Sequence, residues 1–157
     1  MQNDSKKITF RTAKFDDLSR IVELLANDDL GAKRESAEPS LPKSYEEAFA
    51  AINEDQNNIL VVAIIQNIIA GVLQLTLIPS LTYKGGWRSQ IEGVRVAKEF
   101  RSRGIGREMF EWAIDYSRQK NCVMVQLTTD KQRPNAIKFY QDLGFKATHE
   151  GFKFHLL

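Results

Sequence analysis

The stretch that most constrains this chain is Val94-Arg95-Val96-Ala97-Lys98-Glu99-Phe100-Arg101-Ser102-Arg103-Gly104-Ile105-Gly106-Arg107. An alternating strand-like run passes through a basic loop and two closely spaced glycines. It then enters an amphipathic segment that presents Met109, Trp112, Ala113 and Tyr116 at helical spacing. Residues 95–107 carry Arg95, Lys98, Arg101, Arg103 and Arg107 against Glu99 alone, a local +4 in a chain whose formal net charge is only +2. Such a turn reads as an anion site. The first N–H groups of a helix are unpaired, and its dipole adds roughly half a positive charge there. Gly104 and Gly106 remove the Cβ atoms that would hold a phosphate off the backbone.

The remaining pattern alternates sheet and helix. Ile8-Thr9-Phe10-Arg11 reads as a short first strand, and Asp16 as the cap of a helix to about Ala26. Residues 27–43 read as a loop, and Ser44 opens a second helix to about Glu54. Ile59–Ile65 and Ile69–Ile78 are apolar β runs around Gln66-Asn67, a hairpin signal. Pro79–Arg88 is a loop pivoting on Gly85-Gly86, and Gln90–Val96 is a further strand. After the Gly106–Lys120 helix come a strand at Val123–Leu127 and a helix from Pro134 to Leu143, stopped by Gly144. Phe145–Thr148 and Phe152–Leu156 read as a closing antiparallel pair. The expectation is a single α/β domain over residues 1–157, with a mixed, mostly antiparallel twisted sheet of 6–7 strands flanked by about four helices.

Spacing separates this turn from other phosphate binders. A dinucleotide fingerprint needs a third small residue where Met109 stands, and the chain holds no P-loop. The segment Arg101-Ser102-Arg103-Gly104-Ile105-Gly106 fits [Gln/Arg]-x-x-Gly-x-[Gly/Ala] directly after a strand. With Asn135-Ala136-Ile137-Lys138-Phe139-Tyr140-Gln141-Asp142-Leu143-Gly144-Phe145 downstream, the chain resembles the GCN5-related N-acetyltransferases (GNAT) over essentially its whole length.

That resemblance implies acetyl-CoA as acetyl donor, with its pyrophosphate on the backbone of Arg101, Ser102, Arg103, Gly104, Ile105, Gly106 and Arg107. It implies a strand splayed at a bulge beside the cofactor, where Val94, Arg95 and Val96 pair with pantetheine and the Val94 N–H polarises the thioester carbonyl. It implies a cofactor contact at Asn135, which on its own reads equally as a polar helix-start residue. It also puts Tyr140 near the sulfur. A phenol of reference pKa about 10 can protonate a thiolate of about 8.5, although spacing alone fits a core tyrosine as well.

Glu92 lies on an otherwise apolar strand. It can take a proton from an ammonium acceptor, bind a cationic substrate, or pair with Arg88 or Arg95. Tyr83, Trp87 and Arg88 either line the acceptor pocket or cap the core. Acidic residues Asp28, Asp29, Glu38, Glu46 and Glu47 suit a cationic acceptor or simply a solvated face.

Composition closes off other classes. Hydrophobic residues at 43% fill a core, and 27% charged residues are ordinary for a globular surface, so wholesale disorder is excluded. Near-neutral charge with no second basic stripe argues against nucleic acid. One cysteine, Cys122, excludes an internal disulfide, and neither it nor His149 and His155 forms a metal cluster, so no metal is expected. No secretory signal or membrane span is read, and the cytoplasm is the expected compartment. The resulting expectation is transfer of acetyl to a primary amine of a small molecule or peptide by direct attack in a ternary complex. Another acyl-CoA, an oxygen acceptor, or a non-catalytic CoA-binding module are the alternatives. Family members often dimerise, so a homodimer stays open.

Overall fold

Gln66 and Asn67 both take positive φ, 50° and 65°, in the computed structural model, which describes residues 7–157 except the side chain of Pro134. The Met1–Lys6 stretch read for a leader lies outside those residues. Two consecutive left-handed residues make a turn whose twist matches the flanking strands. That turn joins β2 (Asn58–Ile65) to β3 (Ile68–Ile78) as an antiparallel hairpin. Strand β1 (Thr9–Thr12) adds antiparallel to β2, and β4 (Arg88–Val96) antiparallel to β3. Strand β5 (Met124–Leu127) completes a five-stranded sheet in the order β1-β2-β3-β4-β5. The Val123 N–H donates to the Trp87 carbonyl (2.8 Å) and Gln126 Nε2 to Gln90 Oε1 (2.7 Å). These contacts advance along both strands together, so β5 runs parallel to β4 and the sheet is mixed. Parallel neighbours need a crossover, supplied here by the longest helix.

Helices α1 (Leu18–Ala26), α2 (Lys43–Glu54), α3 (Thr82–Gly85), α4 (Ile105–Gln119) and α5 (Pro134–Asp142) complete the elements. The count corrects the expectation of 6–7 strands and about four helices to five of each among the described residues. The extra helix, α3, is one turn in which Tyr83 and Lys84 take φ of 52° and 58°. The missing strands are the closing pair. Phe152, Phe154 and Leu156 do alternate, yet they stand 91%, 90% and 88% exposed. An alternating run becomes a strand when one face is buried, and among the described residues this one stays exposed.

Strand alternation splits the sheet into two faces. Leu73, Leu75 and Leu77 of β3 with Ser89 and Ile91 of β4 point towards α4, and all five are buried. Ser89 Oγ and Ser117 Oγ lie 2.7 Å apart there, and Ser117 also donates to the Ala113 carbonyl (2.7 Å), so both buried hydroxyls are satisfied. A Cβ on Gly71 would lie 2.6 Å from Met109 Sδ and 2.9 Å from the Arg95 carbonyl oxygen. Glycine therefore lets α4 settle directly on β3. On the opposite face Val62 and Val72 are buried with Leu18, Ile21 and Val22 of α1.

The described residues form two compact units, one up to Gln126 and one from Leu127. The second contains α5, whose end is a tight C-cap. Gly144, at φ 97°, donates to the Gln141 carbonyl (2.9 Å), and Phe145 N–H donates to the Tyr140 carbonyl (3.0 Å).

Candidate active site

The glycine turn has the geometry its residues imply. Ser102 and Gly104 take φ of 59° and 79°, and α4 begins at Ile105. Its first backbone bond runs from the Glu108 N–H to the Gly104 carbonyl (3.1 Å). The amides of Ile105 and Gly106 therefore have no acceptor within the helix, and among the described residues no side-chain cap is made at its N-terminus. In front of Gly104 a Cβ would meet no atom within 4 Å. Open space at a helix N-terminus whose first amides have no intrahelical acceptor is what a pyrophosphate requires, so these residues fit the cofactor that the motif implies.

The arginines around the turn are mostly engaged with the protein. Arg101 donates from Nε to the Val96 carbonyl (3.1 Å) and from NH2 to the Asn27 carbonyl (3.0 Å). Arg95 Nε lies 3.0 Å from Asp28 Oδ2, with both side chains largely buried, and NH1 donates to the Val94 carbonyl (2.8 Å). These two arginines tie the end of α1 to the end of β4. Arg103 lies over the Phe100 ring (5.6 Å), and Arg107 pairs at 3.7 Å with Glu111. Lys98 remains exposed. The basic stretch is therefore chiefly a scaffold for the turn. It is not a stripe of cations laid out for a polyanion.

Strand β4 carries a bulge beside this turn. Its register against β3 passes from Val72↔Arg95 to Gln74↔Glu92, three steps on β4 against two on β3. The surplus residue belongs to Gly93–Val94, with Gly93 at φ 60°.

Glu92 is exposed on the face opposite α4, and among the described residues it makes no hydrogen bond or ion pair. It pairs with neither Arg88 nor Arg95, the latter being committed to Asp28. The same face holds Gln74 opposite Glu92, then Thr76 opposite Gln90. Asn58 Oδ1 accepts from Gln74 Nε2 (3.1 Å) and Thr76 Oγ1 (2.7 Å), while Gln90 is tied to Gln126. On central strands this is unusual. One end of the face is apolar under α1, and the other is a half-buried polar floor. Arg88 belongs to that floor by alternation, whereas Trp87 falls in phase with Ser89 and Ile91 on the α4 side. Tyr83 is 67% exposed on the left-handed α3 turn.

In the second unit Tyr140 is half-buried, edge-on to Phe139 (5.5 Å) and Phe145 (6.2 Å). Asn135 is exposed in the first turn of α5, directly after Pro134. Cys122 has its thiol pushed above the ordinary range by burial, so it is held as a poor nucleophile. No group of three or more metal-ligating side chains occurs among the described residues.

Gly93, Gln74 and Gln90 were not singled out from sequence as site residues. Gln74 and Thr76 did leave a signal, as the two polar residues alternating inside an otherwise apolar run. Asp28, read from sequence as suiting a cationic acceptor or a solvated face, is instead paired with Arg95, a partner that lies far along the chain on β4.

A mixed sheet bulged beside a helix N-terminus fits an acyltransferase that uses an acyl-CoA. The chain belongs to the acetyltransferase (GNAT) family, whose model matches residues 21–145, and it is an enzyme of that family. A crystal structure described as a transcriptional regulator from Bacillus halodurans C-125 is 50% identical, with a TM-score of 0.93, covering 96% of this chain and 100% of that one. A putative acetyltransferase from Agrobacterium tumefaciens is 26% identical with a TM-score of 0.82, covering 94% and 99%. The aminoalkylphosphonate N-acetyltransferase of Salmonella typhimurium is 27% identical over 110 residues, 70% of this chain and 71% of its own length.

Proposed function

We infer that the protein works as one N-acetyltransferase domain that moves acetyl from acetyl-CoA to a primary amine of a small molecule, in the cytoplasm where that donor circulates. The observation that carries this reading is the open space before Gly104 at the N-terminus of α4, where the amides of Ile105 and Gly106 have no acceptor within the helix, beside a strand that bulges at Gly93–Val94. An N-acetyltransferase of aminoalkylphosphonates among its relatives supports an amine acceptor. The engaged arginines speak against a nucleic-acid partner, and among the described residues no helix is long and apolar enough to cross a membrane.

Bound acetyl-CoA would supply an activated thioester, held by the backbone of Arg101–Arg107 and by Val94–Val96, with Asn135 as a further contact. Attack by the amine is direct, in a ternary complex. Glu92 takes the proton from the incoming ammonium, either itself or through water, so that the nitrogen lone pair is available. The Val94 N–H hydrogen-bonds the acyl carbonyl as its oxygen gains charge. Tyr140 Oη delivers a proton to the leaving sulfur. Arg88, Trp87 and Tyr83 remain candidates for the acceptor's surroundings.

The test is thiol release from acetyl-CoA with a panel of amines, run on the wild type and Glu92→Gln. Removal of a general base should lower kcat by about 100-fold or more with little effect on acetyl-CoA affinity. Equal kcat in the variant would remove Glu92 from the proton path. Turnover with alcohols but no amines would shift the reading to an oxygen acceptor.

A further inference from the structure

Arg88 stands apart from the other arginines near the site. It is half-buried at the start of β4, and among the described residues it makes no hydrogen bond or ion pair. It shares its face with Gln90 and Glu92, since Ser89 and Ile91 between them are buried against α4. Arg88 and Val96 are the two ends of β4, about 26 Å apart at strand rise, so Arg88 is not part of the phosphate-holding turn. Arg88 and Glu92 are closer, with Cα atoms about 13 Å apart by the same rise. That separation along one face leaves room between them for a molecule of a few bonds. Between them Gln90, fixed by its bond from Gln126, offers an uncharged amide that does not compete for either charge.

The Arg88 guanidinium has no anionic partner among the described residues and its nitrogens stay accessible, so they are open to an anionic ligand. Its planar fork matches carboxylate and phosphonate oxygens in paired hydrogen bonds. We propose that Arg88 is the acceptor's anion anchor, and that the protein acts on short amines bearing an acidic group, carboxylate or phosphonate, in preference to neutral or polycationic amines. The amine end then lies at Glu92 and the acid end at Arg88, with Gln90 under the chain that links them. This rests on the acetyltransferase reading above and adds to it the class of acceptor.

The experiment compares matched acceptors: β-alanine against β-alaninamide, and 2-aminoethylphosphonate against ethanolamine. Each is assayed by thiol release and by calorimetric titration into protein saturated with CoA, for wild type, Arg88→Gln and Arg88→Lys. The acidic member of at least one pair should be preferred by about tenfold or more, as a charge-assisted hydrogen bond predicts. Arg88→Gln should erase that preference by raising KM for the acidic member and leaving its neutral partner within about twofold. Arg88→Lys should recover part of it. The two acids separate a carboxylate from a phosphonate ligand. Equal use or equal binding of acidic and neutral members, no binding of either, or an unchanged preference in Arg88→Gln would overturn the proposal. Acetyl-CoA affinity, measured in parallel on all three proteins, separates these outcomes. If the wild type does not bind acetyl-CoA, the acetyltransferase reading fails instead, and loss of binding only in a variant marks a folding defect that Arg88→Lys then bypasses.

Discussion

At the scale of single residues, Gly104 and Tyr140 carry the sharpest consequences. Gly104 combines positive φ with open space where its Cβ would be. A Cβ there has no protein atom within 4 Å, so the chief cost to folding is the backbone strain of about 1–2 kcal/mol. The same side chain would fill the volume in front of the α4 amides. Gly104→Leu should lower the melting temperature by a few degrees and acetyl-CoA affinity by at least tenfold, read by calorimetry on the folded variant. Tyr140→Phe removes one oxygen and keeps the ring contacts with Phe139 and Phe145. If Tyr140 protonates the leaving sulfur, turnover should fall by about 100-fold with cofactor affinity unchanged. Unaltered turnover in Tyr140→Phe would return the residue to a packing role.

At the scale of elements, the functional arrangement depends on how closely α4 and β4 are held. Gly71 lets α4 press on β3, and the Arg95–Asp28 and Arg101–Asn27 contacts hold the end of α1 to the end of β4. Gly71→Ala would set a methyl against Met109 Sδ and the Arg95 carbonyl. Methionine can yield and the backbone cannot, so overpacking should cost about 1–3 kcal/mol in denaturant unfolding. Because the carbonyl belongs to the cofactor strand, acetyl-CoA affinity should fall as well. A neutral Gly71→Ala would show that the sheet can shift there freely. The element pattern was largely legible from sequence. The hairpin at Gln66-Asn67, the glycine turn and the α5 stop at Gly144 each rest on local chemistry that a short window contains. The closing strands were not, because alternation at Phe152–Leu156 states which residues could share a buried face and not whether a surface exists to bury it. The polar floor was legible only in part. Gln74 marks a gap in an apolar run, but the pairing of Gln74 with Glu92 across the sheet follows from register.

At the scale of the whole molecule, stability should carry an acid dependence set by Asp17. Arg11 donates to it twice, at 2.6 and 3.0 Å, and the Lys14 N–H adds a third bond at 2.7 Å. Hydrogen bonding from Arg11, more than burial opposes it, holds the Asp17 carboxyl below the usual carboxylate range. A group with a depressed folded pKa contributes stability that is complete above its unfolded value and is lost as pH falls through the folded one. Asp17→Asn should therefore be less stable at neutral pH and show a shallower loss of stability below about pH 4, the ordinary carboxylate range. Parallel acid profiles for the two proteins would show that the pair contributes nothing to that dependence.

The central claim is that the turn from Arg101 to Arg107 holds acetyl-CoA, and titration of the purified protein with acetyl-CoA, with ATP and NAD as controls, tests it most directly. Selective micromolar binding of acetyl-CoA, lost in Gly104→Leu, is the expected result. Equal binding of all three nucleotides, or undiminished acetyl-CoA binding in Gly104→Leu, would contradict it.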